Sequence, residues 1–315
     1  AAMSTPPPAG PHAPALDWSH RLFGRFHVTG VFWYQFPYWA VARAPLWSHG
    51  PGMLLFTAFF FVVLGRIRRA IIANLEPVLG PAGPLERGRR AWRTMYEFAR
   101  GLSERFCRVT GHPRGTSAVE GLEHWAPLRD AGHGAVIVTA HIGPWESATV
   151  HGADDIQRTV HVVRETEIDP RAQAFVREIL QQQGEHYVAH FAGEDETLFL
   201  TLIEALRRGE LVALQGDRPR ATGRAMTVPL FGRPMPLPIG PAVLARAAGV
   251  PLLPVFAVLD PDYTVRTVIR RPIQVARTAD RDADLTAALT TLAGEIETAI
   301  RRAPYQWYCF RQLWP

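Results

Sequence analysis

The sequence predicts an α/β fold, a mostly parallel sheet flanked by helices, preceded by an N-terminal helical extension that associates with membranes. Three observations carry that expectation. Short runs such as AVIVT at 135–139 are apolar throughout, as strands covered on both faces are. Segments with apolar residues at helical spacing separate these runs, the pattern of parallel crossover connections. Residues 18–64 concentrate aromatic and aliphatic side chains ahead of that alternation.

Taken in order, residues 1–17 form a Pro/Ala-rich tail without periodicity and are expected to be disordered. The next stretch carries Phe23, Phe26, Val31, Phe32, Trp33, Tyr34, Phe36, Tyr38, Trp39 and Trp47, punctuated by Pro37 and Pro45. Aromatic rings with one polar edge favour the headgroup region of a bilayer. The run MLLFTAFFFVVL at 53–64 is apolar all round and ends against Arg66, Arg68 and Arg69. Crossing a bilayer takes about 20 apolar residues. This run is therefore expected to be too short to span, and to lie in the interface with arginines reaching the phosphates; a buried core helix is the alternative. No secretory signal is expected, because the run lies well inside the chain and no small-residue cleavage site follows it. The expected organisation is a tail at 1–17, a membrane-associating helical region at 18–80 and an α/β domain at 81–315.

Within the α/β part, Trp92, Met95, Tyr96, Ala99, Leu102, Phe106 and Val109 mark one face of a helix over 85–109 that stops near Gly111 and Pro113. Strands are predicted at 135–139, 159–163, 211–214, 252–258 and 263–269, and helices at 172–182, 198–207 and 242–248. Leu285, Leu289, Leu292, Ile296 and Ile300 define a C-terminal helix.

Composition narrows the chemistry. The formal charge is +5, and all 34 basic groups are arginines, a bias that a genome rich in G and C also produces. With no lysine, Schiff-base catalysis is excluded, while guanidinium groups suit phosphate recognition. A pI near 9.7 fits anionic partners, whether phospholipid headgroups, an acidic carrier protein or nucleic acid. Cys107 and Cys309 are too few for a disulfide framework or a thiolate metal cage.

In an open parallel sheet, ligands bind beyond the carboxyl ends of the strands. The residues just past the strand at 135–139 are His141-Ile-Gly-Pro-Trp-Glu146. His141 can act as a base near neutral pH, and Glu146 can hold its other ring nitrogen. Five residues of ideal helix turn through about 500°, leaving the two side chains about 140° apart. They meet only if the segment is a turn leading into a helix, and Gly143-Pro144 supplies that turn. The bland alternative is a strand-capping histidine and a solvated helical glutamate.

The His-x4-Glu sequence after a buried strand resembles the motif of the glycerolipid acyltransferase superfamily, and within it the lauroyl/myristoyl acyltransferases of lipid A biosynthesis. Further matches follow in order: Arg164 in Val-Val-Arg-Glu, Gln215-Gly-Asp-Arg218, Val228-Pro-Leu-Phe-Gly232, Pro241-Ala-Val-Leu-Ala245, Gly249-Val-Pro-Leu-Leu-Pro254, and Ala303-Pro-Tyr-Gln-Trp307 through Arg311. The similarity runs from about residue 25 to 312. The resemblance implies acyl transfer from an acyl thioester, on acyl carrier protein or CoA, to a hydroxyl or amine of a lipid-like acceptor, with no other cofactor, no metal and no nucleic acid partner. It also implies a position on the cytoplasmic face of the cell membrane. His141 would deprotonate the acceptor and Glu146 would stabilise the imidazolium. Arg164, with backbone near Gly143 and Trp145, would bind substrate or the oxyanion; Asp217 and Arg218 would hold an acceptor's phosphate or sugar. Arg164 could equally be a structural ion pair with Glu165 or Glu167. Two departures bear on the acceptor: Tyr305 where the family usually has Glu, and the third motif reading Gln-Gly-Asp-Arg. Relatives that acylate mannosylated phosphoinositides, or that serve natural-product and glycolipid pathways, share this outline.

Rivals are weaker. There is no Gly-x-Ser-x-Gly elbow, Gly-x-Gly-x-x-Gly or P-loop. Ser147 lacks a second supporting base, and His141, His151 and His161 do not show metal-ligand spacing. His124, His133, His186 and His190 read as structural or surface residues. A thioesterase and a non-catalytic lipid-binding protein remain the two alternatives.

Overall fold

The computed structural model describes residues 30–146, 158–181, 186–193, 195–219 and 223–314. The tail at 1–17, Phe23, Phe26, the Trp33 side chain, Ser147 and His151 lie outside the described residues.

Three helices come first: α1 (Phe32–Arg43), α2 (Leu46–Val63) and α3 (Gly65–Leu79). All three pack on α4 (Pro84–Val109), the long amphipathic helix expected from its periodicity. The α3–α4 seam buries Ile71, Leu75, Ala91 and Met95. The chain continues through β1 (Ser117–Glu120), α5 (Leu122–Asp130), β2 (Ala135–Thr139), β3 (Val160–Arg164), α6 (Pro170–Gln181), β4 (Tyr187–Phe191), α7 (Leu198–Arg207) and β5 (Leu211–Gln215). A hairpin of β6 (Ala225–Leu230) and β7 (Arg233–Pro238) precedes α8 (Gly240–Ala248), β8 (Leu252–Leu259), β9 (Val265–Ile269) and α9 (Arg281–Arg302).

The main sheet has seven strands in the order β1-β9-β8-β2-β5-β3-β4, all pairs parallel except β8 with β9. Successive residues of β2 serve opposite faces, as strand geometry requires. Val136 and Val138 join the core built with α7, α8 and α9, while Ala135 and Ile137 join Trp125 of α5 on the other side. Leu285, Leu289, Leu292, Ile296 and Ile300 of α9 are each at most 1% exposed, so the stripe expected for that helix is its buried face. β2 and β5 are neighbours at the centre, with Thr139 opposite Gln215.

One element is longer than its sequence run suggests. α2 begins after Pro45, whose extended backbone starts the helix, and covers 18 residues. At about 1.5 Å per residue it is about 27 Å long. By length and composition alone it is sufficient to cross a membrane, so the helix exceeds the 53–64 run read from the sequence. His49, Met53 and Thr57, spaced by one turn, form its buried stripe against α4. Trp47, Leu54, Leu55, Phe59, Val62 and Val63 are about half or more exposed.

Candidate active site

Strand register builds the site. His141 and Asp217 each lie two residues beyond the paired ends of β2 and β5, so the topology brings them to one level at the carboxyl edge. Gly216 makes the approach close: a Cβ there would come within 2.4 Å of Val138 Cγ1. Asp217, 1% exposed, accepts from His141 Nδ1 onto Oδ1 at 2.7 Å and from the His141 backbone N–H onto Oδ2 at 3.3 Å. Burial opposes ionisation of Asp217, yet the adjacent imidazole and these hydrogen bonds hold its pKa well below the usual carboxylate range. An ionised acceptor at Nδ1 puts the imidazole proton there and leaves Nε2 as the basic nitrogen.

The hydrogen-bond partner at His141 Nδ1 is therefore Asp217, not the glutamate five positions downstream, which corrects the contact expected for Glu146, while the Glu146 carboxylate still feels the His141 imidazole electrostatically. Glu146, the last described residue of this stretch, places Oε1 2.6 Å from Arg164 and Oε2 2.5 Å from Arg105 of α4. Burial would raise its carboxyl, but the two guanidinium groups outweigh burial and hold the pKa down to about 2. Glu146 is thus an anchor for two arginines. Arg164, at the end of β3, makes its ion pair with Glu146 and also feels the charge of Glu167, and its Nε has no hydrogen-bond partner. Glu167 instead accepts from Tyr34 Oη at 2.6 Å, joining α1 to the site.

The loop after β2 is held by the C-terminal segment. Gly143 donates its N–H to the Gln306 carbonyl at 2.9 Å, Tyr308 donates to the His141 carbonyl at 2.8 Å, and Ile142 bridges Trp307. The Gln306 side chain accepts from Leu259 N–H at 2.8 Å and donates to Leu259 C=O at 2.7 Å, which fastens the segment to the end of β8. Gly143 has φ +53°, and a Cβ there would meet the Ala257 carbonyl oxygen at 2.4 Å, so only glycine fits. Its own N–H is already bonded to Gln306, so this one backbone group is not available to an oxyanion. Asp217 likewise faces His141 rather than an open acceptor site, and only Arg218, half-buried beside it, keeps that possibility. Arg105, Gln306 and Tyr308 were not singled out as site residues. The amphipathic period of α4 gives no sign of Arg105, whereas the terminal Gln306-Trp307 motif is visible in the sequence without revealing that it fastens the loop after β2.

Next to this cluster lies a cavity of about 400 Å³, lined mainly by apolar side chains from α2, α3 and α4, including Phe56, Phe60, Ile67, Met95, Phe98 and Leu102. Its polar end consists of Arg105, Glu146, Arg164 and Glu167. Trp145 lines the cavity on one side and meets the His141 ring on the other, with centroids 5.2 Å apart. Two further histidines contribute elsewhere: His161 bonds His190 at 2.9 Å and Glu210 at 2.7 Å across β3, β4 and the start of β5.

Fold and site define an α/β protein with a buried His–Asp pair at the carboxyl edge of its sheet and an apolar cavity beside it. The chain belongs to the bacterial lipid A biosynthesis acyltransferase family, whose model matches residues 30–315. It is similar to the phosphatidylinositol mannoside acyltransferase of Mycobacterium tuberculosis (strain CDC 1551 / Oshkosh), with 30% identity over 197 residues, 58% of each chain. It is also similar to the phosphatidylinositol mannoside acyltransferase of Mycolicibacterium smegmatis, with 27% identity over 190 residues, 60% of this chain and 59% of that one. The chain therefore spans less than two thirds of the length of these curated relatives.

Proposed function

We propose that this chain moves a fatty acyl group from a thioester to a hydroxyl of a membrane glycolipid, with His141 as general base and Asp217 as its orienting acid. The observation that carries the reading is the 2.7 Å His141–Asp217 bond, one ring contact through Trp145 from an apolar cavity, in a chain of this family. The acceptor O–H gives its proton to Nε2 as its oxygen attacks the thioester carbonyl. Asp217 stabilises the imidazolium, and that proton passes to the sulfur as the tetrahedral intermediate expels the thiol. Arg164, with Nε unpartnered on the cavity wall, is the candidate donor to the oxyanion.

The lipid in the relatives' names, phosphatidylinositol mannoside, suggests a sugar hydroxyl of an anionic glycolipid as acceptor. A surface whose basic groups are all arginine suits such a lipid, and equally an acidic carrier as donor in preference to free CoA. The exposed apolar stripe of α2 continues into exposed Arg66 and Arg69, an arrangement that seats a helix at a lipid surface with guanidinium groups at the phosphates. The inner side of the same helix lines the cavity through Phe56 and Phe60. The site of action is the cytoplasmic face of the cell membrane, where acyl thioesters are available.

Mass spectrometry of products formed from acyl carrier protein and CoA thioesters, with and without a membrane lipid extract, tests the proposal. Transfer gives an acylated lipid that depends on the extract. Free fatty acid in equal amount with or without extract identifies a thioesterase, and no turnover of any thioester identifies a binding protein.

A further inference from the structure

Away from its polar end, the wall of the cavity has a feature that its apolar lining does not explain. Thr57, on the α2 wall, is 1% exposed, lines the cavity, and its hydroxyl has no hydrogen-bond partner. A helical threonine ordinarily returns its hydroxyl to the carbonyl one turn back. Every other threonine within the described helices does so: Thr94, Thr201, Thr286, Thr290, Thr291 and Thr298. Thr94 does so although it is fully buried, so burial is not what denies Thr57 this bond. Valine at 57 would pack against α4 with the same shape and bury no polar group. A buried hydroxyl left unpaired is destabilising. Such a group is retained when something outside the chain completes it.

We propose that Thr57 is a binding determinant for an oxygen-bearing acyl chain, one with a hydroxyl or keto substituent along the hydrocarbon. The inference rests on the acyl-transfer reading for the identity of the chain in the cavity. Around Thr57 the wall offers Phe56, Phe60, Met95 and Phe98, which accept hydrocarbon without direction. A single hydroxyl in that setting rewards an oxygen at one depth and is indifferent to methylene. Sites built on a polar group discriminate strongly against a ligand that lacks its partner, because the site's buried group is then left unpaired.

The test measures binding of myristic acid and of positional isomers of hydroxymyristic acid to the purified chain, by fluorescence displacement, for the wild type, Thr57→Val and Thr57→Ser. The wild type should bind one hydroxylated isomer at least about tenfold more tightly than myristic acid, Thr57→Ser should keep that preference and Thr57→Val should abolish it. Equal affinity for all isomers in the wild type, or a preference that survives in Thr57→Val, overturns the proposal. Thermal unfolding without ligand shows that the variants fold, and Thr57→Val should unfold no lower than the wild type. Binding needs no turnover, so a chain that discriminates isomers yet transfers nothing contradicts the acyl-transfer reading while sparing this one.

Discussion

Replacing Asp217 by asparagine keeps shape and removes charge, and the structure sets the size of the effect. The carboxylate accepts two bonds from His141, one from Nδ1 and one from the backbone N–H. Asparagine offers one oxygen and one NH2 group, so it satisfies one of these donors and opposes the other. If the amide oxygen goes to the backbone, the ring must present a bare Nδ1, which moves its proton to Nε2 and removes the base. If the oxygen goes to the ring, the tautomer survives but the imidazolium loses its counter-charge. At an effective dielectric of about 20, a charge pair at about 4 Å contributes about 4 kcal/mol. With 1.36 kcal/mol per decade of rate, that is about a thousandfold. Both outcomes converge on a fall in kcat of about 10²–10⁴-fold. The assay is steady-state transfer from an acyl thioester to a lipid extract, with thermal unfolding as the check on folding. A folded Asp217→Asn variant whose kcat stays within about threefold of wild type would refute the assignment.

Glu146→Gln tests the anchor in a different variable. The Glu146 pKa is depressed from 4.5 to about 2, so its contribution to stability is fully present above pH 4.5 and is lost as pH falls toward 2. The stability gap between wild type and Glu146→Gln, by urea unfolding, should be as much as about 3 kcal/mol at neutral pH and shrink across that acid window; a pH-independent gap contradicts it. Gln306→Ala should cost about 2–4 kcal/mol in the same experiment, since it strips both partners from the buried Leu259 peptide groups. For the membrane face, Leu55→Asp with Phe59→Asp should lower partition onto anionic vesicles at least about tenfold, because each side chain contributes about 1.5–3 kcal/mol when buried, and unchanged co-sedimentation contradicts it.

Much of the fold was legible because its central strands are hydrophobic throughout and α9 keeps a clean helical stripe. The elements that escaped share a physical reason. β1 is a mostly exposed edge strand with no apolar run, and β6–β7 carries Pro229, Pro234, Pro236 and Pro238, which argue against a strand when read alone. The first turns of α2 contain Gly50, Pro51 and Gly52, which read as breakers, yet packing of His49 and Met53 on α4 overrides that local preference. In the site, His141 was legible from its place past β2. Its partner was not, because closeness along the chain was given more weight than closeness across the sheet. Asp217 occupies the equivalent place past the adjacent strand, a relation that becomes visible once β2 and β5 are known to pair in register.

The most direct measurement is the single-turnover rate of acyl transfer from a radiolabelled thioester to extracted glycolipid, with wild type compared with His141→Ala. The imidazole account predicts a loss of at least about a hundredfold in the chemical step, with donor binding retained. A His141→Ala enzyme that acylates the acceptor at nearly the wild-type rate contradicts the account at its centre.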